Sequence, residues 1–220
     1  YASVHGKAIL KAGYPFYSCS NEAFASDSTF RAEAWTVDLI CGKQVATTVG
    51  NGMQQKYTVF TPELQREIRK FTSAGGNILV SGANIGTDIE DRIYPVKTDS
   101  VFRKNSVKFA EEVLGYRWMG NYAGKRGNVR GTAGIFNGTA VSFHNTPNSK
   151  CYCVETPDGI VPSDRSGKTV MRYSDTGISA GVSYEGNGYR TVSLGFPIET
   201  LRTEKDIETI IEITLDFFER

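Results

Sequence analysis

Residues 61–88 read Thr-Pro-Glu-Leu-Gln-Arg-Glu-Ile-Arg-Lys-Phe-Thr-Ser-Ala-Gly-Gly-Asn-Ile-Leu-Val-Ser-Gly-Ala-Asn-Ile-Gly-Thr-Asp, and few arrangements accommodate that order. Thr61 is suited to cap a helix, Pro62 to its first position, and Glu63 to the positive end of its dipole. Leu64, Ile68 and Phe71 recur at helical spacing, so one stripe faces a core. Gly75 and Gly76 stop the helix where a left-handed residue is wanted. Residues 77–81 then form a short run without polar alternation, the pattern of a strand covered on both faces. In an open α/β sheet, ligands sit beyond the carboxyl ends of such strands. That directs attention to residues 82–88.

The rest of the chain extends this alternation. Residues 3–12 read as a helix ending at Gly13, residues 14–20 as a first strand, and residues 21–24 as the start of a helix. Residues 34–41 read as a second strand and 45–58 as a polar, glycine-bearing loop. After Asp88 a short helix carries Ile89 and Ile93 up to Pro95, and another over 105–114 stops at Gly115. Strand and helix at these spacings argue βαβ units and a parallel sheet. From about residue 116 to 188 the character changes to Gly, Ser, Thr and Asn with short β-prone runs at 135–136, 140–144, 152–155, 169–173 and 178–184. Turns such as Asn137-Gly138, Pro157-Asp158-Gly159 and Gly186-Asn187-Gly188 separate them. This region reads as antiparallel hairpins inserted into, or packed on, one edge of the sheet. Residues 189–195 resemble another central strand. A last helix follows Thr203, whose spacing to Asp206 is that of a capping box, and buries Ile207, Ile210, Ile211, Leu215 and Phe218.

At 220 residues the chain is long enough for one α/β domain, residues 1–220, with a sizeable core. Lys and Arg number 25 against 24 Asp and Glu, so no overall field recruits nucleic acid or an anionic membrane. No apolar run approaches the roughly 18 residues of a membrane-spanning helix, so no membrane insertion is expected. The opening residues are no signal peptide, and export stays open. Four cysteines are too few for a disulfide scaffold. Cys151 and Cys153 would share one strand face, and no Cys-x-x-Cys or nearby histidine completes a metal site. Inert buried thiols are the expectation, with a Cys19–Cys41 bridge as the weaker alternative. No cofactor and no metal is implied, and His5 and His144 each stand alone in the sequence.

The turn Gly82-Ala83-Asn84-Ile85-Gly86 has the pattern of a nucleophile elbow. Its middle residue, Asn84, can donate a hydrogen bond to an oxyanion but cannot attack a carbonyl. The plainer reading is a tight turn in which Asn84 caps the next helix. Ser20, Asn21 and Glu22 follow the first strand, Lys43 and Gln44 the second, Asn84, Thr87 and Asp88 the third, and Glu199 the last. In this order all lie at one edge of the sheet. Glu22, Asp88 and Glu199 are candidate catalytic carboxylates for acid–base work on a glycosidic or uronic acid bond. Ser20, Asn21, Lys43, Gln44, Asn84 and Thr87 are candidate ligand-binding residues. The same acids could bind sugar hydroxyls or a divalent cation. They could also only stabilise helix starts, worth ~0.3–1 kcal/mol each. Tyr116, Trp118, Tyr122, Tyr152, Tyr173, Tyr184 and Tyr189 would stack on sugars if exposed and fill a core if not.

Several stretches resemble the class I glutamine amidotransferase-like fold. They are Gly13-Tyr14-Pro15-Phe16 with Ser20-Asn21-Glu22-Ala23, Asp38-Leu39-Ile40 with Gly42-Lys43-Gln44, and residues 75–77 through 82–88. Further on come Arg172-Tyr173-Ser174-Asp175-Thr176-Gly177 and Gly195-Phe196-Pro197-Ile198-Glu199-Thr200. The nearer likeness is to domains of large exported Bacteroidetes proteins labelled xanthan lyase or N-acetylmuramoyl-L-alanine amidase. The resemblance implies a three-layer α/β sandwich with a mostly parallel, flavodoxin-like sheet plus an antiparallel extension. It also implies that an initial strand is lacking, because the first strand starts late. The family's triad fails here: its cysteine position falls at Asn84 or Ala83, its histidine at Phe196, and only the carboxylate survives as Glu199. The expected function is therefore a catalytically degenerate module of a secreted, periplasmic or cell-surface protein that processes polysaccharide or cell wall. Its expected partners are neighbouring domains, a carbohydrate or a peptidoglycan fragment. The alternative is a carbohydrate-active or amidase-type hydrolase or lyase using the carboxylates at the strand ends.

Overall fold

The computed structural model describes residues 1–27, 29–50, 54–90 and 100–220. In chain order the elements are α1 (Ala2–Lys11), α2 (Asn21–Ser26), α3 (Thr29–Ala32), β1 (Thr36–Gly42), β2 (Thr47–Val49), β3 (Gln54–Lys56), α4 (Pro62–Ser73) and β4 (Asn77–Gly82). Next come α5 (Thr87–Glu90), α6 (Ser100–Phe109), β5 (Tyr116–Gly120), β6 (Asn128–Gly131), β7 (Ala140–Ser142) and β8 (Gly159–Pro162). The chain closes with β9 (Gly167–Tyr173), β10 (Ser179–Glu185), β11 (Arg190–Leu194) and α7 (Glu204–Glu219).

Among the described residues, seven strands form one mixed sheet in the order β1-β4-β11-β10-β9-β6-β7. β1, β4 and β11 are parallel, and the other four strands extend the sheet antiparallel from β11. Two small antiparallel pairs, β2–β3 and β5–β8, stand apart. The fold is therefore mixed α/β.

β4 is the inner strand that its apolar run predicts. All six of its residues are buried. Ile78 and Val80 pack with Leu39, Leu64, Ile68 and Phe71 on one face, while Leu79 packs with Ala8, Ile207, Ile210 and Ile211 on the other. Each such side chain contributes roughly 1.5–3 kcal/mol of burial. The flanking punctuation behaves as read. Thr61 Oγ1 accepts the Leu64 N–H at 3.2 Å, and Thr203 Oγ1 accepts that of Asp206 at 3.1 Å. Gly75 adopts φ 91°, and a Cβ on Gly76 would lie 2.3 Å from the Phe71 ring. Only glycine fits both demands.

Other expectations are corrected. Residues 14–20 join no sheet. Residues 45–58 contain the β2–β3 hairpin. The helix expected over 105–114 begins at Ser100 and ends in a π turn, Ala110–Leu114, closed by Gly115 at φ 77°. Residues 152–155 form no strand and 135–136 lie in a 3-10 turn, whereas β5, β6 and β8 were not anticipated. Ile93 and Pro95 lie outside the described residues. Of the aromatics, Tyr116 and Tyr173 are fully buried and Tyr122 is exposed.

Candidate functional site

The turn after β4 is the place where an open α/β sheet offers backbone donors to a ligand. Here its donors meet a carboxylate of the same chain. Asp158 Oδ2 accepts the N–H groups of Gly86 at 2.7 Å and Thr87 at 2.9 Å. Its Oδ1 accepts the Thr87 hydroxyl at 2.5 Å and the Trp118 indole N–H at 3.0 Å. Gly86 makes room, since a Cβ there would stand 2.4 Å from Trp118 Cδ1. The Asp158 backbone is clasped as well: its N–H donates to Gly195 O at 2.9 Å, and the Tyr173 hydroxyl donates to Asp158 O at 2.7 Å. Burial raises the Asp158 carboxyl to about 7, against the four hydrogen bonds that favour its charged form.

Asn84, the middle residue of that turn, donates through Nδ2 to Lys43 O at 3.1 Å. Among the described non-glycine residues, positive φ falls only at Tyr57 and Tyr122, so Asn84 lacks the strained backbone of a nucleophile elbow. The elbow pattern is met in spelling and not in conformation.

A second polar cluster spans α1, β1 and the turn after β11. His5 Nδ1 lies 2.6 Å from Asp38 Oδ2 and Nε2 lies 3.3 Å from Glu199 Oε2, while the Tyr152 hydroxyl donates to Glu199 Oε1 at 2.7 Å. Burial alone would lower the His5 pKa, but Asp38 and Glu199 outweigh it and raise it to about 10. His5 is thus a buried imidazolium clamped by two carboxylates, and not a base poised near neutrality. Nearby Cys41 is buried, and burial with the charges of Glu199, Asp38 and Asp88 pushes its thiol far up, so it is no thiolate nucleophile. All four cysteines are free thiols.

The other sequence-derived candidates have separate attachments. Ser20 caps α2 through its Oγ, and Asn21 and Glu22 are exposed in that helix's first turn. Glu22's own N–H, and after it the Ser20 hydroxyl, hold the Glu22 carboxyl below its usual range. Lys43 pairs with Glu155 at 2.6 Å, and Gln44 donates to Thr58 O at 2.9 Å. Asp88 accepts the N–H groups of Ala46 at 2.5 Å and Val59 at 2.8 Å, and burial raises its pKa. Thr87 belongs to Asp158, and Glu199 to His5 and Tyr152. Sequence reasoning missed His5, Asp38, Tyr152 and Asp158 as site residues. His5 and Glu199 are 194 positions apart, and Asp158 sits in a Pro-Asp-Gly stretch that reads as a turn. Among the described residues no group of three or more His, Cys, Asp or Glu could hold a metal ion. No helix among them is long and apolar enough to cross a membrane.

A mixed sheet with its strand-to-helix turn closed by an internal acid defines a class of architecture before any relative is considered. Solved structures share the mixed α/β fold at low identity. A cytoplasmic protein of Salmonella typhimurium is 10% identical with a TM-score of 0.60, over 99% of this chain and 86% of the other. A Thermoplasma acidophilum protein described as a subunit of GMP synthase is 11% identical with a TM-score of 0.54, over 99% and 89%. A cold-adapted β-galactosidase from Rahnella sp. R3 is 12% identical with a TM-score of 0.56, over 98% of this chain and 26% of that enzyme. The chain thus spans about a quarter of the length of that glycosidase. No family model and no curated protein matches the chain. Identities of this size speak to fold alone.

Proposed function

We propose that this chain is a catalytically degenerate, amidotransferase-like module, a three-layer α/β sandwich with a flavodoxin-like parallel half. It serves a larger secreted protein that processes polysaccharide or cell wall, by binding a ligand or by packing against neighbouring domains. One observation carries the reading. The turn that would present a nucleophile and an oxyanion hole presents Asn84, tied to Lys43, and spends its N–H donors on Asp158. Acyl transfer needs an activated nucleophile and donors free for a developing oxyanion. The likeness to a domain-sized part of a β-galactosidase supports a place inside a longer carbohydrate-active chain.

The second reading, a hydrolase or lyase working through Glu22, Asp88 and Glu199, rests on their expected places beyond the carboxyl ends of the strands. A glycan and muropeptide array with product analysis on the purified chain separates the two. The module reading expects binding or no response, without turnover, and Asp88→Ala then changes only stability. Turnover that Asp88→Ala abolishes would establish the hydrolase instead.

A further inference from the structure

We propose that the cleft beside β1 seats one extended polypeptide strand that runs parallel to β1 and leads into α1. The cleft has a volume of about 520 Å³ and lies between β1, α1, α7 and the extended residues 14–20. Among the described residues, β1 is hydrogen-bonded to β4 on one side only. The Trp35 carbonyl accepts the Asn77 N–H, which sets the phase of the parallel ladder. Val37 and Leu39 therefore turn both backbone groups toward β4, and Thr36, Asp38 and Ile40 turn theirs toward the cleft; beyond Ile40 the register shifts and the Cys41 carbonyl accepts the Gln44 N–H instead. An apolar groove alone would not select a peptide. A row of backbone donors and acceptors at strand spacing does.

Direction follows from how α1 lies on the sheet. Tyr1 packs edge-on against Tyr152 at 5.0 Å, and the Tyr152 hydroxyl stands 3.1 Å from where a Gly42 Cβ would be, at the carboxyl end of β1. His5 bonds Asp38 in mid-strand, and Tyr14, beyond the other end of the helix, meets Trp35 at the amino end. α1 thus runs antiparallel to β1. A strand parallel to β1 ends beside Tyr1, where α1 starts, in the strand-then-helix order of a βαβ unit. Residues 14–20 then run back along the far wall and become the next strand outward.

The chemistry of the occupant is readable too. Val37, Leu39 and Phe24 ask for apolar side chains on one face. On the other, Thr36 Oγ1 and Asp38 Oδ1 are buried with no hydrogen-bond partner among the described residues. They ask for hydroxyl or amide donors.

The test joins an octapeptide of alternating valine and threonine ahead of Tyr1 in the full chain, with a second version carrying proline at alternate positions. Amide hydrogen exchange is read by NMR at Thr36, Asp38 and Ile40. Exchange at these three amides should slow at least tenfold with the valine–threonine strand and stay unchanged with the proline version. Equal behaviour of the two extended proteins would overturn the proposal. So would full protection of these amides in the 220-residue chain itself. Protection by the free octapeptide or by a glycan as strong as by the joined strand would also overturn it, assigning the cleft to another molecule.

Discussion

Thr87 gives Asp158 two hydrogen bonds, its N–H to Oδ2 at 2.9 Å and its hydroxyl to Oδ1 at 2.5 Å. With Gly86 and Trp118 the carboxylate collects four donors in a site closed to solvent. Asp158→Asn keeps the shape but aims an amide N–H₂ at some of those donors. It should cost about 2–3 kcal/mol, the scale of losing hydrogen bonds to a charged group. Urea denaturation of the variant against the parent reads this directly. A loss below ~0.5 kcal/mol would mean the cluster is not formed in solution.

Gly86 tests the same cluster from its other side. In Gly86→Ala the new methyl carbon meets the Trp118 ring, which must withdraw from Asp158. Overpacking of this kind costs about 1–3 kcal/mol. A shifted tryptophan emission spectrum should accompany the loss of stability. Unchanged emission with unchanged stability would contradict the packing.

The pH dependence has a definite sign at His5. Its pKa rises from 6.5 to about 10 on folding, so the folded chain holds a proton that the unfolded chain releases first. The contribution is fully present below about 6.5 and is lost as pH climbs toward 10. Stability should therefore fall across that window. His5→Phe should flatten the slope there, even though it also lowers stability overall.

Asp88 links two segments that the sequence leaves loose. Its carboxylate holds the N–H groups of Ala46 and Val59, on either side of the β2–β3 hairpin. Asp88→Ala should release both amides, seen as faster hydrogen exchange at Ala46 and Val59, and should cost about 1–3 kcal/mol. Exchange unchanged at both positions would show that the hairpin is anchored elsewhere.

Much of the parallel half was legible because its signals are local. Thr61, Pro62, Gly75, Gly76 and the apolar run after them act within a few residues, and each holds in the structure. The placement of α7 followed from its cap and its stripe. Residues 14–20 have the composition of a strand and form none, because β-prone residues make a strand only beside a partner, and here the cleft separates them from β1. The site was the least legible part. His5 looked solitary, yet its partners are 33 and 194 positions away. Asp158 has the spelling of a turn, and nothing near it in the chain hints at Gly86, Thr87 or Trp118. Asn84 shows the converse, a motif spelled out without its conformation.

The most direct measurement follows the amide resonances of Gly86 and Thr87 from pH 5 to 9, with and without added phosphate. If Asp158 closes the turn, both resonances titrate together with a midpoint of about 7 and ignore the phosphate. Resonances that stay flat with pH but shift saturably with phosphate would show the donors open to an outside anion, and the chain could not then be a degenerate module of the kind described.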